Sequence, residues 1–84
     1  MNQTWKPIRV LVADDHPVVR RGVSSLLSGH LDLDVIGEVE NGTEVFPFLD
    51  NHEIDVLLLD IRMDGHNGID VARKVRNSNP SVNL

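Results

Sequence analysis

The sequence predicts one α/β domain built on a parallel sheet. Three observations predict it. Strand and helix signals alternate along all 84 residues, the third strand carries the unalternating run Val56-Leu57-Leu58-Leu59, and the first and third strands both end in aspartate. An apolar run without alternation is the pattern of a strand covered on both faces, as in a parallel sheet. Alternating strands and helices imply parallel strands joined by right-handed crossovers. Open sheets of this kind gather function beyond the carboxyl ends of their strands, which is where the aspartates fall.

Each element has a local reason. Ile8-Arg9-Val10-Leu11-Val12-Ala13 reads as the first strand. Pro17 opens the first helix, since its missing N–H is one that a helix start does not need. Val19, Gly22, Val23, Leu26 and Leu27 then fall on one stripe, and Gly29 is a natural stop. Leu33-Asp34-Val35-Ile36-Gly37-Glu38-Val39 is the second strand, with Val35, Gly37 and Val39 expected on one face. A second helix follows Asn41-Gly42, with Thr43 as its expected cap and Val45, Phe48 and Leu49 as its apolar face. Pro47 is expected within about its first turn, where a lost N–H costs little. The third strand is Ile54-Asp55-Val56-Leu57-Leu58-Leu59. The third helix follows Gly68, with Ile69, Ala72 and Val75 expected inward and Arg73, Lys74 and Arg76 outward. Asn79-Pro80 closes it, and Ser81-Val82-Asn83-Leu84 looks like the start of a fourth strand.

Composition narrows the function classes. Thirteen acidic residues against eight basic ones give a net charge of −5, which argues against a broad nucleic-acid surface. Without cysteine there is neither a disulfide nor a thiolate metal site. No apolar run approaches the ~20 residues that span a bilayer, and Met1–Pro7 has no apolar signal-peptide core. A cytoplasmic location, with no membrane partner, is the expectation.

The chemistry lies in the acids. Asp14-Asp15 end the first strand and Asp60 ends the third. In the commonest strand order that fits, those strands are neighbours, so three carboxylates converge on one cleft. Nothing about folding requires this, and their repulsion costs stability. A hard cation relieves it, and Mg²⁺ takes oxygen ligands of this kind. Taken singly, the acids have plainer readings: Asp15 or His16 can cap the first helix, Asp60 can cap the next turn, and Asp64-Gly65 is a turn pair. Taken together, the double acid and the lone acid at two strand ends favour the cation. His16, His30, His52 and His66 lack a ligand spacing such as i, i+4 and give no reason to expect zinc. Neither a glycine-rich phosphate loop nor a serine nucleophile elbow is present.

From residue 8 to residue 84 the sequence resembles a response-regulator receiver domain. Val10-Leu11-Val12-Ala13-Asp14-Asp15-His16 matches the family's first strand and acid pair, Leu57-Leu58-Leu59-Asp60-Ile61-Arg62-Met63 its phosphoacceptor strand and loop, and Gly68 the glycine opening its third helix. Asp14 to Gly22, followed by Leu26-Leu27, is similar in particular to receivers that carry a LuxR/NarL-type helix-turn-helix output domain. The resemblance implies a flavodoxin-like doubly wound parallel sheet of strand order 2-1-3-4-5, here truncated after the third helix. It implies that Asp60 is the phosphoacceptor, taking a phosphoryl group from a sensor histidine kinase. It further implies that Asp15, Asp60 and the Arg62 backbone carbonyl bind Mg²⁺, with Asp14 acting mostly through a metal-bound water. Such a protein is a phosphoryl acceptor in signalling rather than an enzyme.

There are departures. Asp64 stands where the family usually has proline, adding a fourth acid near the mouth, and Phe46-Pro47 replaces smaller helix residues. Residues 1–84 are therefore expected to be the N-terminal part of a receiver. The switch hydroxyl after strand four, the phosphate-binding lysine after strand five and the DNA-binding domain are accordingly expected to be missing from these residues, and Ser81, which precedes the fourth strand, is not expected to serve as the switch. A second expectation follows: an interaction module that is not phosphorylated, and that either self-associates through the open sheet edge near Val56–Leu59, as by exchanging elements, or fails to fold stably. A metal-dependent aspartyl phosphatase fits less well, because it wants an acid two residues after its nucleophile and Asp60 is followed by Ile61-Arg62.

Overall fold

The computed structural model describes residues 6–60 and 68–84. They form β1 (Ile8–Ala13), α1 (Pro17–Ser28), β2 (Leu33–Val39), α2 (Gly42–Asn51), β3 (Val56–Leu59) and α3 (Gly68–Ser78). The strands make one parallel sheet in the order β2-β1-β3. Where a fourth strand was expected to begin, the described residues hold one bridge. Val56 and Asn83 form a parallel bridge, with the Leu57 N–H donating to the Asn83 carbonyl at 2.8 Å and the Asn83 N–H to the Asp55 carbonyl at 2.9 Å. The order β2-β1-β3 is that of the first three strands of the flavodoxin-like sheet expected from the sequence.

β1 is central, and Val10, Leu11, Val12 and Ala13 are all buried. Its alternate residues serve two faces. Leu11 and Ala13 join Val39, Val45, Leu49, Ile54, Leu57, Val71, Val75 and Val82 in one core between the sheet, α2 and α3. Val12 faces the other way, along a groove shared with Val19 and Val23 of α1.

Several local expectations are corrected by packing. The inward face of α1 is Arg20, Val23, Ser24 and Leu27; Val19 and Leu26 of the expected stripe are 50% and 73% exposed. The helix is turned by Arg20, whose Nη1 donates to the Asp14 carbonyl at 2.7 Å and whose Nε donates to Glu38 at 3.2 Å. Gly29 ends α1 with φ −74°, an ordinary right-handed conformation. In β2 the register skips Ile36, pairing Val10 with Val35 and Leu11 with Gly37. This bulge breaks the expected period-two face, so that Ile36 as well as Val39 packs on the core.

The cap of α2 is Asn41 rather than Thr43. Its Oδ1 accepts the Glu44 N–H at 3.1 Å, while the Glu44 carboxylate reaches back to the Glu40 N–H at 2.9 Å. Pro47 lies in the second turn, and its own carbonyl accepts from the Asn51 side chain at 2.8 Å. β3 starts at Val56, two residues later than expected. It is buried on one face, through Leu57, while Leu58 on the other is 37% exposed. In α3 the buried row is Gly68, Val71 and Val75, and Ile69 is 48% exposed.

Just ahead of β3, Asp55 is held by Arg9. Its carboxylate accepts from the Arg9 backbone N–H at 2.8 Å and from Nε at 3.2 Å, and Glu53 accepts from Nη1 at 2.9 Å. The Arg9 hydrogen bonds hold the Asp55 carboxyl below its ordinary value. A carboxyl whose value is lower folded than unfolded adds stability above about pH 4, and loses it as pH falls through the folded value. The pair is well solvated, so the effect is small. On acidification from neutrality to about pH 3, the urea midpoint is expected to fall more for the wild type than for Asp55→Asn. Equal falls would show that the pair contributes nothing.

Candidate functional site

Backbone hydrogen bonds at the strand ends assemble the site. The Asp14 N–H donates to the Val39 carbonyl at 3.1 Å, and the Asp60 N–H donates to the Ala13 carbonyl at 3.0 Å. These bonds carry the β1 and β3 pairings one residue past the strands. Asp14, Asp15 and Asp60 thereby reach one mouth, at the carboxyl ends, as the sequence led us to expect. Their side chains are 13%, 16% and 23% exposed, far more enclosed than surface carboxylates usually are.

One residue joins them that sequence reasoning left out. His16 is the N-cap of α1 but makes no side-chain cap bond, so the capping reading of this residue does not hold. Its backbone N–H donates to Asp14 Oδ1 at 2.8 Å. Its ring turns back over the acids, with Nδ1 2.9 Å from Asp15 Oδ1, 3.2 Å from Asp14 Oδ1 and 3.8 Å from Asp60 Oδ2. The hydrogen bond to Asp14, with the Asp15 charge next, raises the His16 imidazole above its ordinary value. Spacing along one helix could not reveal this. The available signal was the place of His16 immediately after an acid pair, ahead of a proline that holds the turn.

Asp14, Asp15, His16 and Asp60 each offer a ligand atom, and these atoms all lie within 4.8 Å of one another. Three oxygen donors from carboxylates suit a hard divalent cation, so the donor set fits Mg²⁺. Beside the acids runs a groove of ≈ 530 Å³, floored by Val12, Val19, Val23 and Leu58. Arg62, Met63, Asp64 and His66 lie outside the described residues.

Comparison with known proteins agrees with the fold. The response regulator receiver domain family matches residues 10–84. The chain belongs to that family. It is 36% identical over 78 residues to the response regulator protein VraR of Staphylococcus saprophyticus, covering 93% of this chain and 37% of VraR. It is 38% identical over 71 residues to the nitrate/nitrite response regulator protein NarL of Escherichia coli, covering 84% of this chain and 33% of NarL. Among solved structures, the isolated receiver domain of RcsB from Salmonella enterica serovar Typhimurium matches with a TM-score of 0.85 at 30% identity, over 92% of this chain and 58% of that one. The signal receiver domain of Mycobacterium tuberculosis NarL matches with a TM-score of 0.80 at 42% identity, over 86% and 58%. The relatives are LuxR/NarL-type response regulators, and the chain spans about a third of the length of the curated ones.

Proposed function

We propose that this chain is the phosphoacceptor part of a two-component transcriptional regulator, with Asp60 as the residue phosphorylated. An Asp60 carboxylate oxygen attacks the phosphorus of a phosphohistidine on a sensor histidine kinase. The P–N bond breaks, the imidazole leaves, and an aspartyl phosphate forms. Asp15 and Asp60 would hold Mg²⁺ through their carboxylates, and Asp14 would act through a bound water; Arg62, whose carbonyl the family resemblance adds as a ligand, lies outside the described residues. When bound, Mg²⁺ supplies neutralisation of the charge on the transferring phosphoryl oxygens. Asp14 also positions the turn, since its carboxylate holds the His16 N–H and its carbonyl holds Arg20. The observation that carries the reading is the meeting of Asp60 with Asp14 and Asp15 at one mouth.

The output is transcriptional control through a helix-turn-helix domain outside these residues; an RcsB–DNA complex is among the structural relatives. No described helix is long and apolar enough to cross a membrane, and we place the protein in the cytoplasm, as a phosphoryl acceptor rather than an enzyme. To test the reading, the chain is incubated with acetyl phosphate and Mg²⁺, and its intact mass is measured. One added phosphoryl group is expected with Mg²⁺, and none when Mg²⁺ is chelated before the phosphodonor is added. An adduct that forms equally well under chelation would contradict the cation role.

A specific observation favours self-association as a second property. Val18, Val19, Leu26, Leu58, Ile69 and Leu84 are all exposed, and the outer edge of β3 carries a single described bridge, at Asn83. Leu57 donates outward there, so the Leu59 N–H, two residues on, points to the same edge. Such edges recruit other strands. Light scattering on the 84-residue chain is expected to give at least the dimer mass; a concentration-independent monomer would refute this.

A further inference from the structure

We infer that His16 Nδ1 is a nitrogen donor to the divalent ion held by the acids, and that it biases this site toward later first-row transition ions, such as Fe²⁺ or Co²⁺, over Mg²⁺. The inference rests on the cation reading proposed above and deepens it.

Geometry is the first argument. In an octahedral shell with bonds of about 2.1 Å, neighbouring ligand atoms stand about 3.0 Å apart and opposite ones about 4.2 Å. His16 Nδ1 stands 2.9 Å from Asp15 Oδ1 and 3.2 Å from Asp14 Oδ1, both near the neighbouring distance. Its 3.8 Å from Asp60 Oδ2 falls between the neighbouring and opposite distances. The imidazole therefore stands at neighbouring-ligand spacing from the two carboxylates that end β1, with the Asp60 carboxylate of β3 next nearest.

Donor chemistry is the second argument. Mg²⁺ favours oxygen and gives up its waters reluctantly. Imidazole nitrogen suits the later first-row ions, whose affinity for mixed nitrogen and oxygen sites also rises along the row. With Nδ1 on the ion, its hydrogen bond to Asp14 is given up to the metal and the ring proton sits on Nε2. The side chain is 65% exposed, so that nitrogen has water for a partner. The main-chain bond from His16 to Asp14 keeps residue 16 over the acids whatever side chain it carries. His16→Ala therefore removes the donor and leaves the turn in place.

The test is a titration of the wild-type chain, His16→Ala and Asp15→Asn with Co²⁺, followed by its d–d absorption, and with Mg²⁺, followed by displacement of Co²⁺. The expectation is that His16→Ala weakens Co²⁺ on the order of tenfold and alters Mg²⁺ by less than about twofold. Equal changes for both ions, or tighter binding of both, would overturn the inference, since the ring would then be a bystander or a competitor for the acids. Asp15→Asn is expected to weaken both ions together. If the wild type binds neither ion, the cation reading itself fails, an outcome distinct from binding that His16→Ala leaves untouched.

Discussion

Leu57→Ala is expected to leave the chain largely unfolded at ambient temperature. Leu57 is fully buried in the middle of β3. It pairs with Leu11 across the sheet, and both belong to the core under α2 and α3. Truncating such a leucine costs about 2–5 kcal/mol through lost burial and the cavity left behind. Folded domains have only ~5–15 kcal/mol in total, and small ones sit at the low end. The cost is thus a large share of the whole. Far-UV circular dichroism in a urea series measures it directly: the midpoint should shift to low urea or vanish. Leu58→Ala is the natural control. Leu58 lies on the opposite face and is 37% exposed, so its midpoint should shift far less. Equal losses at the two positions would mean that β3 is not packed on one side as described.

The second large effect is chemical. Asp60→Asn is expected to abolish phosphoryl incorporation from acetyl phosphate while leaving the fold intact. The amide matches the carboxylate in shape but lacks its nucleophilic oxygen, and it removes one of three negative charges from the mouth. The main-chain bond from residue 60 to the Ala13 carbonyl, 3.0 Å in the wild type, does not depend on the side chain. Removing one acid from a cluster also relieves repulsion, so the melting temperature of Asp60→Asn should be no lower than that of the wild type. Lost labelling together with a lowered melting temperature would point to unfolding and not to loss of a nucleophile.

These two residues also mark what could be read from the sequence. The order of elements, the start of α1 at Pro17, the bounds of β1 and β2 and the meeting of Asp14, Asp15 and Asp60 were all accessible, because each rests on composition at a strand end or on alternation along the chain. What escaped was the rotation of α1 and α3, whereas the expected face of α2, Val45, Phe48 and Leu49, is the one that packs on the core. A helical stripe says which residues share a face, but not which face meets the sheet. In α3 the rows Gly68-Val71-Val75 and Ile69-Ala72-Arg76 lie side by side, and only packing on α2 and the sheet selects the first. In α1 the choice was made by a charged residue, Arg20, bound to the Asp14 carbonyl and Glu38, which a hydrophobic pattern cannot show. The bulge at Ile36 and the cap at Asn41 are likewise decisions of hydrogen bonding. His16 escaped for a related reason. Its partners lie one and two residues back and, in Asp60, across the sheet; the ring's direction follows from the turn and not from any periodicity.

The central claim is that the carboxylate ending β3 accepts the phosphoryl group, and the position of that group tests it most directly. Chain labelled with acetyl phosphate is reduced with borohydride, which converts an aspartyl phosphate to homoserine, and then digested and sequenced by mass spectrometry. The account predicts homoserine at position 60 and none at 14 or 15. Homoserine at another acid, or labelling that persists undiminished in Asp60→Asn, would contradict it.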